Sequence, residues 1–151
     1  MPKLVKTSGI NNARLLSIYS DYVDRIKDGT KTFELRSYDP KILPGYWVIV
    51  YEPKPVQHIS CVFQSEYFWC MKPDQAWETF NHCFGIDFDR YSDYFNGKSY
   101  AYGVKVGKVK TFDPIPYQEL VNKVGFNAPQ GARSWSYDYI DSRILEAISN
   151  T

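Results

Sequence analysis

The sequence predicts an α+β chain, a small mixed β-barrel of five or six strands with flanking short helices. Three observations lead there. Segments with β and helical spacing interleave in the order β-α-β-β-β-α-α-β-β-α, which suits a mixed or antiparallel barrel better than a doubly wound sheet. The apolar runs are short, the longest being the six residues Tyr46 to Tyr51. At 151 residues, 44% hydrophobic and 23% charged, the chain has the size of one ordinary domain and buries roughly 70% of its unfolded surface. That balance excludes a disordered or fibrous protein.

The elements follow in order. Residues 1–12 read as a polar N-terminal extension. Arg14 to Tyr19 forms a first strand. Ser20 then caps a helix whose Tyr22, Val23 and Ile26 share one side, and Gly29 stops it. Lys31 to Arg36 alternates, with Phe33 and Leu35 on one face and Thr32, Glu34 and Arg36 on the other. Pro44-Gly45 turns into the strand Tyr46 to Tyr51, and Pro53 and Pro55 bracket the turn before Gln57 to Ser65. Pro73 to His82 has helical spacing at Ala76, Trp77 and Phe80, and Asp87 to Phe95 is a second short helix. Gly97 to Phe112 resembles a hairpin turning at Gly107. Tyr117 to Val121 is a helical turn, and Ile140 to Ile148 a closing helix. The main domain therefore spans 13–137, with 138–151 as a C-terminal helix packed on it.

Several chemistries lack their residues. Met1 to Gly9 has no apolar signal core, and six apolar residues fall far below the roughly 18 of a membrane span. Cys61, Cys70 and Cys83 are odd in number and widely spaced, as expected of reduced thiols in a cytoplasmic protein. His82-Cys83 with Cys70 or Cys61 lacks the paired spacing of a zinc site, so no metal is expected. Gly97-Lys98-Ser99 resembles the end of a phosphate loop, but Ser92 stands where its first glycine belongs. No cofactor is implied.

The formal charge of +1 argues against a uniformly basic surface, yet the charge is uneven. Residues 1–36 hold seven basic and four acidic side chains, and 97–110 hold Lys98, Lys105, Lys108 and Lys110 with no acid. Residues 61–95, read as mainly helical, hold two basic and six acidic. Four Trp, 13 Tyr and 9 Phe are more aromatics than a core of this size needs. Buried tyrosine hydroxyls need partners, so some rings should line a pocket or stacking surface.

The motif that carries chemistry is Gly29-Thr-Lys31-Thr-Phe-Glu34-Leu-Arg36. On a strand, Glu34 and Arg36 face one way about 6.6 Å apart. An acceptor-only carboxylate then lies beside a planar five-donor fork. The carboxylate suits an exocyclic amine or ribose hydroxyl, and the guanidinium suits a base face or a phosphate. A self-satisfying Glu34–Arg36 pair at a barrel end is the simpler alternative. Tyr100 and Tyr102 between Lys98 and Lys105 interleave aromatic and basic side chains as single-strand binding surfaces do; cross-strand packing is the alternative. Trp69 and Trp77 read as core anchors. Arg133, Ser134 and Trp135 follow Pro129-Gln130-Gly131 in a loop able to close over a cleft.

This motif resembles the G-x-K-x-x-E-x-R signature of the ASCH family, within the PUA-like superfamily. So do Leu15-Leu-Ser-Ile-Tyr19, Pro44-Gly45, Tyr94-Phe95-x-Gly97-Lys98-x-x-Ala101-Tyr102-Gly103, Lys108-Val-Lys-x-Phe112 with Pro114 or Pro116, and Pro129-Gln130. The resemblance covers roughly 13–137 and implies a PUA-like barrel with these polar positions lining a cleft between barrel and helix. It implies a nucleic-acid-binding module, for RNA or DNA, that reads a modified or flipped-out base or a nucleotide-like ligand. Lys31, Glu34, Arg36, Lys98, Tyr100, Tyr102, Lys105 and Arg133 are its candidate contacts. The alternative is a hydrolase, a ribonuclease or an amidohydrolase of acylated cytidines, with Lys31 and Glu34 catalytic. In the amidohydrolase branch a threonine stands where this chain has Glu34, and a helical carboxylate, here Asp74 or Glu78, takes part. A third class, a protein-interaction module using the acidic Trp-containing segment, has no specific motif behind it.

Overall fold

The computed structural model describes residues 3–7 and 10–149; of the expected N- and C-terminal segments, residues 1–2, 8–9 and 150–151 lie outside it. A six-stranded sheet dominates. In chain order its strands are β2 (Ala13–Ser17), β3 (Phe33–Arg36), β4 (Trp47–Glu52), β5 (His58–Met71), β6 (Ala101–Pro116) and β7 (Arg133–Ser134). They lie in the order β3-β6-β5-β4-β2-β7. Only β2 and β4 run parallel. The sheet is mixed and curls into a half-barrel, as the sequence predicts. Arg36 Nη2, on edge strand β3, donates to the Ser17 carbonyl on β2 at 2.5 Å, so one edge of the sheet reaches the strand next to its other edge.

Five helices surround the sheet: α1 (Ser20–Asp28), α2 (Pro73–Phe80), α3 (Phe88–Phe95), α4 (Tyr117–Val124) and α5 (Ser142–Ser149). Helix α1 buries Val23 and Ile26 in the concave face with Leu16, Val48, Phe63 and Val104. On the convex face, α2 and α3 cover one end around Phe33, Phe84 and Tyr91. Around Trp47, Ile59, Leu120 and Ile144, α4 and α5 cover the other.

Four local expectations are corrected. Ser20 does not cap α1: Tyr19 holds the N-cap position, and the Ser20 hydroxyl is buried with no hydrogen-bond partner. Gly29, at φ 85°, ends that helix as expected. Residues 61–71 are strand, because β5 continues to Met71 and pairs with β6 along its whole length. There is no hairpin at Gly107: β6 runs unbroken from Ala101 to Pro116. A change of register between the Phe63 and Ser65 pairings absorbs the extra residue there. Finally, the N-terminal extension supplies a strand. Leu4–Lys6 (β1) pairs antiparallel with Tyr139–Asp141 (β8), so the closing helix begins at Ser142 rather than Ile140.

The Trp69 indole lies flat on the Phe80 ring at 5.5 Å and covers Gly103, its partner on β6. A Cβ on Gly103 would stand 2.2 Å from Trp69 Cζ2. Gly103→Ala is therefore expected to displace the indole and cost about 1–3 kcal/mol, read as a lower urea midpoint with unchanged slope.

Candidate nucleotide cleft

The N-terminal end of α1, the strand β3 and helix α3 enclose a cleft of about 150 Å³. Lys31, Glu34 and Arg36 all line it, with Tyr19, Tyr22, Tyr94 and Phe95 as aromatic walls. Strand alternation explains how β3 serves both sides. Phe33 and Leu35 enter the convex core, so Glu34 and Arg36 face the concave side.

Each polar group is held by a separate element. Lys31 is only 2% exposed. Its backbone N–H donates to the Arg25 carbonyl at 3.0 Å, and its Nζ donates to the Phe84 carbonyl at 2.8 Å. That approach depends on Gly85, where a Cβ would lie 2.7 Å from Lys31 Cβ. The Lys31 ammonium also sits 5.1 Å from the Tyr22 ring centroid. Burial pushes its pKa below the ordinary lysine value; Glu34 opposes this, and Arg36 and Arg25 add to it.

Glu34 is 4% exposed. Its Oε1 accepts the Leu35 N–H at 2.9 Å, while its buried Oε2 has no hydrogen-bond partner. Arg36 Nη2 is 3.8 Å from that oxygen, too far for a hydrogen bond. Arg36 Nε is likewise buried and unpartnered. The two side chains approach as an ion pair but do not satisfy each other by a hydrogen bond. One carboxylate oxygen and one guanidinium N–H remain unmatched side by side in the cleft. At the rim, Arg90 pairs with Asp21 at 2.8 Å and its guanidinium lies 4.5 Å from the Tyr22 centroid.

The other candidates lie elsewhere. Tyr102 pairs with Arg36 across β6 and β3, on the same sheet face as the cleft. Lys105 pairs with Phe33, and its ammonium stands 5.2 Å from that ring, on the opposite face. Tyr100 precedes the strand, in the exposed turn that also carries Lys98. Arg133 Nη2 donates to the Tyr137 hydroxyl and the Asn127 carbonyl, both at 2.5 Å. Asp74 and Glu78 line a separate groove between α2 and α3. Trp69 and Trp77 pack against the core, as the sequence indicates.

Three cleft rings escaped sequence reading. Tyr22 reads as one of the positions sharing a helical side, Tyr19 as a strand end, and Tyr94 only as part of the Tyr94-Phe95-x-Gly97-Lys98 run. No local pattern distinguishes them. The hints are the excess of tyrosine and the place of Tyr19 and Tyr94 in the runs that resemble the family.

The ASCH domain model matches residues 16–146. The crystal structure of an ASCH protein from Zymomonas mobilis superimposes with a TM-score of 0.76 at 20% identity, covering 81% of this chain and 86% of that one. A point mutant of that protein gives 0.76 at 19% identity, over 82% and 89%. No curated protein matches the chain. Among the described residues, no cluster of metal-ligating side chains occurs and no helix is long and apolar enough to cross a membrane.

Proposed function

This chain belongs to the ASCH domain family, and on that footing we propose that it is a nucleic-acid-binding module whose cleft receives a single base or nucleotide. The observation that carries this reading is the unpartnered, buried Oε2 of Glu34 beside the unpartnered Nε of Arg36. An unmatched buried carboxylate oxygen is costly. A ligand edge with an amino or ring N–H donor next to an acceptor relieves both groups at once. Base edges have that pattern, and the Tyr19, Tyr22 and Tyr94 rings supply surfaces to hold a planar ring. A duplex base cannot reach such a cleft, so single-stranded or flipped bases fit it. Lys31 and Arg36 add positive charge for an attached phosphate.

Fluorescence titration with the four nucleoside monophosphates, and with eight-nucleotide RNA and DNA, tests this. Binding is expected to weaken with salt. Arg36→Ala is expected to lose about tenfold or more in affinity, the scale of one charge-assisted contact. Salt-independent binding, or affinity unmoved by Arg36→Ala, counts against the cleft.

One observation favours a second reading, hydrolysis. Burial lowers the pKa of Lys31, which makes a neutral, nucleophilic amine more accessible. Glu34 would then act as a general base. Incubation with N4-acetylcytidine and with single-stranded RNA separates the two: turnover that disappears in Glu34→Gln supports chemistry, and binding without turnover supports a reader.

A further inference from the structure

We infer that the cleft is one end of a longer track, and that a second subsite for the neighbouring nucleotide of a single strand lies at Phe68. This rests on the reading of the cleft as a base site. The sheet register links the two places. Glu34 pairs with Val104, and Val104 pairs with Phe68 on the other side, so all three share one row of the concave face. Phe68 is therefore two strand spacings, about 10 Å, from Glu34 along that row. The adjacent row toward the rim is Arg36, Tyr102 and Cys70, which places the Tyr102 ring between the two ends.

At the far end, a second cavity of about 370 Å³ is lined by Arg14, Asp39, Lys41, Tyr46, Phe68 and Ser134 among others. Phe68 is 51% exposed, unusual for a phenylalanine on the concave face of a barrel, and among the described residues no other ring packs against it. Its face is available to a base, and the half-buried Tyr46 lines the same cavity. Arg14 supplies a fixed positive charge: its Nη1 donates to Ser134 Oγ at 3.2 Å, and its Nη2 to the Pro40 and Ala132 carbonyls at 3.1 and 3.0 Å. Its Nε is buried without a partner. Lys41, exposed and held at φ 55°, adds a second positive charge. Asp39 is the one acid present, and its Oδ1 is engaged by the Lys41 backbone N–H at 2.9 Å. An exposed aromatic flanked by two cations, in the same sheet row as a base-sized cleft, matches the chemistry of single-strand binding, in which bases stack and phosphates lie against cations. A duplex, whose bases are already stacked, has no use for Phe68.

The test compares an eight-nucleotide mixed-sequence RNA, its DNA counterpart and the four nucleoside monophosphates, by anisotropy or calorimetry. Phe68→Ala and Lys41→Asn are the variants; both positions are exposed, and asparagine tolerates the positive φ. The octamer is expected to bind more tightly than any monophosphate. Phe68→Ala is expected to weaken octamer binding about tenfold, the scale of one base–aromatic stack, and to leave monophosphate binding unchanged. Lys41→Asn is expected to reduce the slope of log affinity against log salt by about 0.7. RNA and DNA arms that respond alike support a track that reads stacking and phosphate alone; a response of only one assigns the track to that strand. An octamer no tighter than a monophosphate, or unmoved by Phe68→Ala, overturns the second subsite even if Arg36→Ala abolishes monophosphate binding. Loss in Phe68→Ala with Arg36→Ala silent supports the Phe68 site and overturns the cleft. Absence of binding to every probe overturns both.

Discussion

Phe33→Ala is expected to lower the unfolding free energy by about 3–5 kcal/mol, the largest loss of stability among the variants considered. The ring is 1% exposed. It meets Phe80 at 5.0 Å, Trp69 at 5.5 Å and Phe84 at 6.3 Å between centroids. Those rings come from α2, β5 and the loop that leads to α3, so Phe33 ties three elements to the edge strand β3. Truncation leaves a cavity that stiff aromatic neighbours fill poorly. The consequence reaches the cleft. Glu34 is the next residue, and the Phe84 carbonyl that accepts from Lys31 Nζ is on the backbone of a residue whose ring Phe33 supports. Thermal melts should show a large drop in Tm, and a ligand assay well below that temperature should show weakened binding as well. Phe33→Leu, which keeps most of the volume, should recover much of both. A drop in Tm under about 1 kcal/mol equivalent would mean that this cluster repacks freely.

Lys31→Met should move stability in the opposite direction. The lysine is almost wholly buried, and one backbone carbonyl is its hydrogen-bond partner. Desolvation is the dominant cost of this buried ammonium, and an apolar side chain of similar length removes it, although the buried Glu34 loses one of its neighbouring cations. The Phe84 carbonyl loses its donor, which offsets part of the gain, and about 1–2 kcal/mol of added stability is expected at neutral pH. The pH dependence identifies the cause. Burial lowers the pKa of Lys31 in the folded protein below 10.5, so the unfolded chain binds this proton more tightly. Stability of the unsubstituted protein therefore rises with pH between the folded value and 10.5. Lys31→Met lacks that rise, and its advantage is expected to shrink across that window. Chemical denaturation from pH 7 to 10.5, taken as the difference between the two proteins, measures it. Ligand affinity should fall at least tenfold in the same variant. A variant that loses stability at neutral pH, or an advantage that grows with pH, would assign Lys31 a structural role instead.

The opposed effects of Phe33 and Lys31 show what was legible in the sequence. Period-two alternation from Lys31 to Arg36 put Phe33 in the core and Glu34 and Arg36 together on the other face, and both placements hold. Elements with a local signal were read correctly: α1 with its glycine stop, α2 with its leading proline, and the apolar strand β4. Errors arose where pairing between distant segments overrides local pattern. Glu66, Tyr67 and Trp69 lack clean alternation, yet β6 offers β5 a partner along its full length and the strand continues. Gly107 looks like a turn, but a register change absorbs it because Gln64 and Ser65 lie opposite. The polar N-terminal segment becomes a strand because β8 supplies its hydrogen bonds from more than 130 residues away.

By itself the sequence determined the α+β class, the ASCH signature and the faces of β3, since these depend on residue spacing within a few positions. The tertiary structure alone decided which rings meet the motif, because Tyr19, Tyr22 and Tyr94 reach it through packing of α1 and α3. It also separated Lys105 from the cleft, on the far side of the sheet, and brought Phe68 into its row. Strand register, a long-range property that no local pattern encodes, made both assignments.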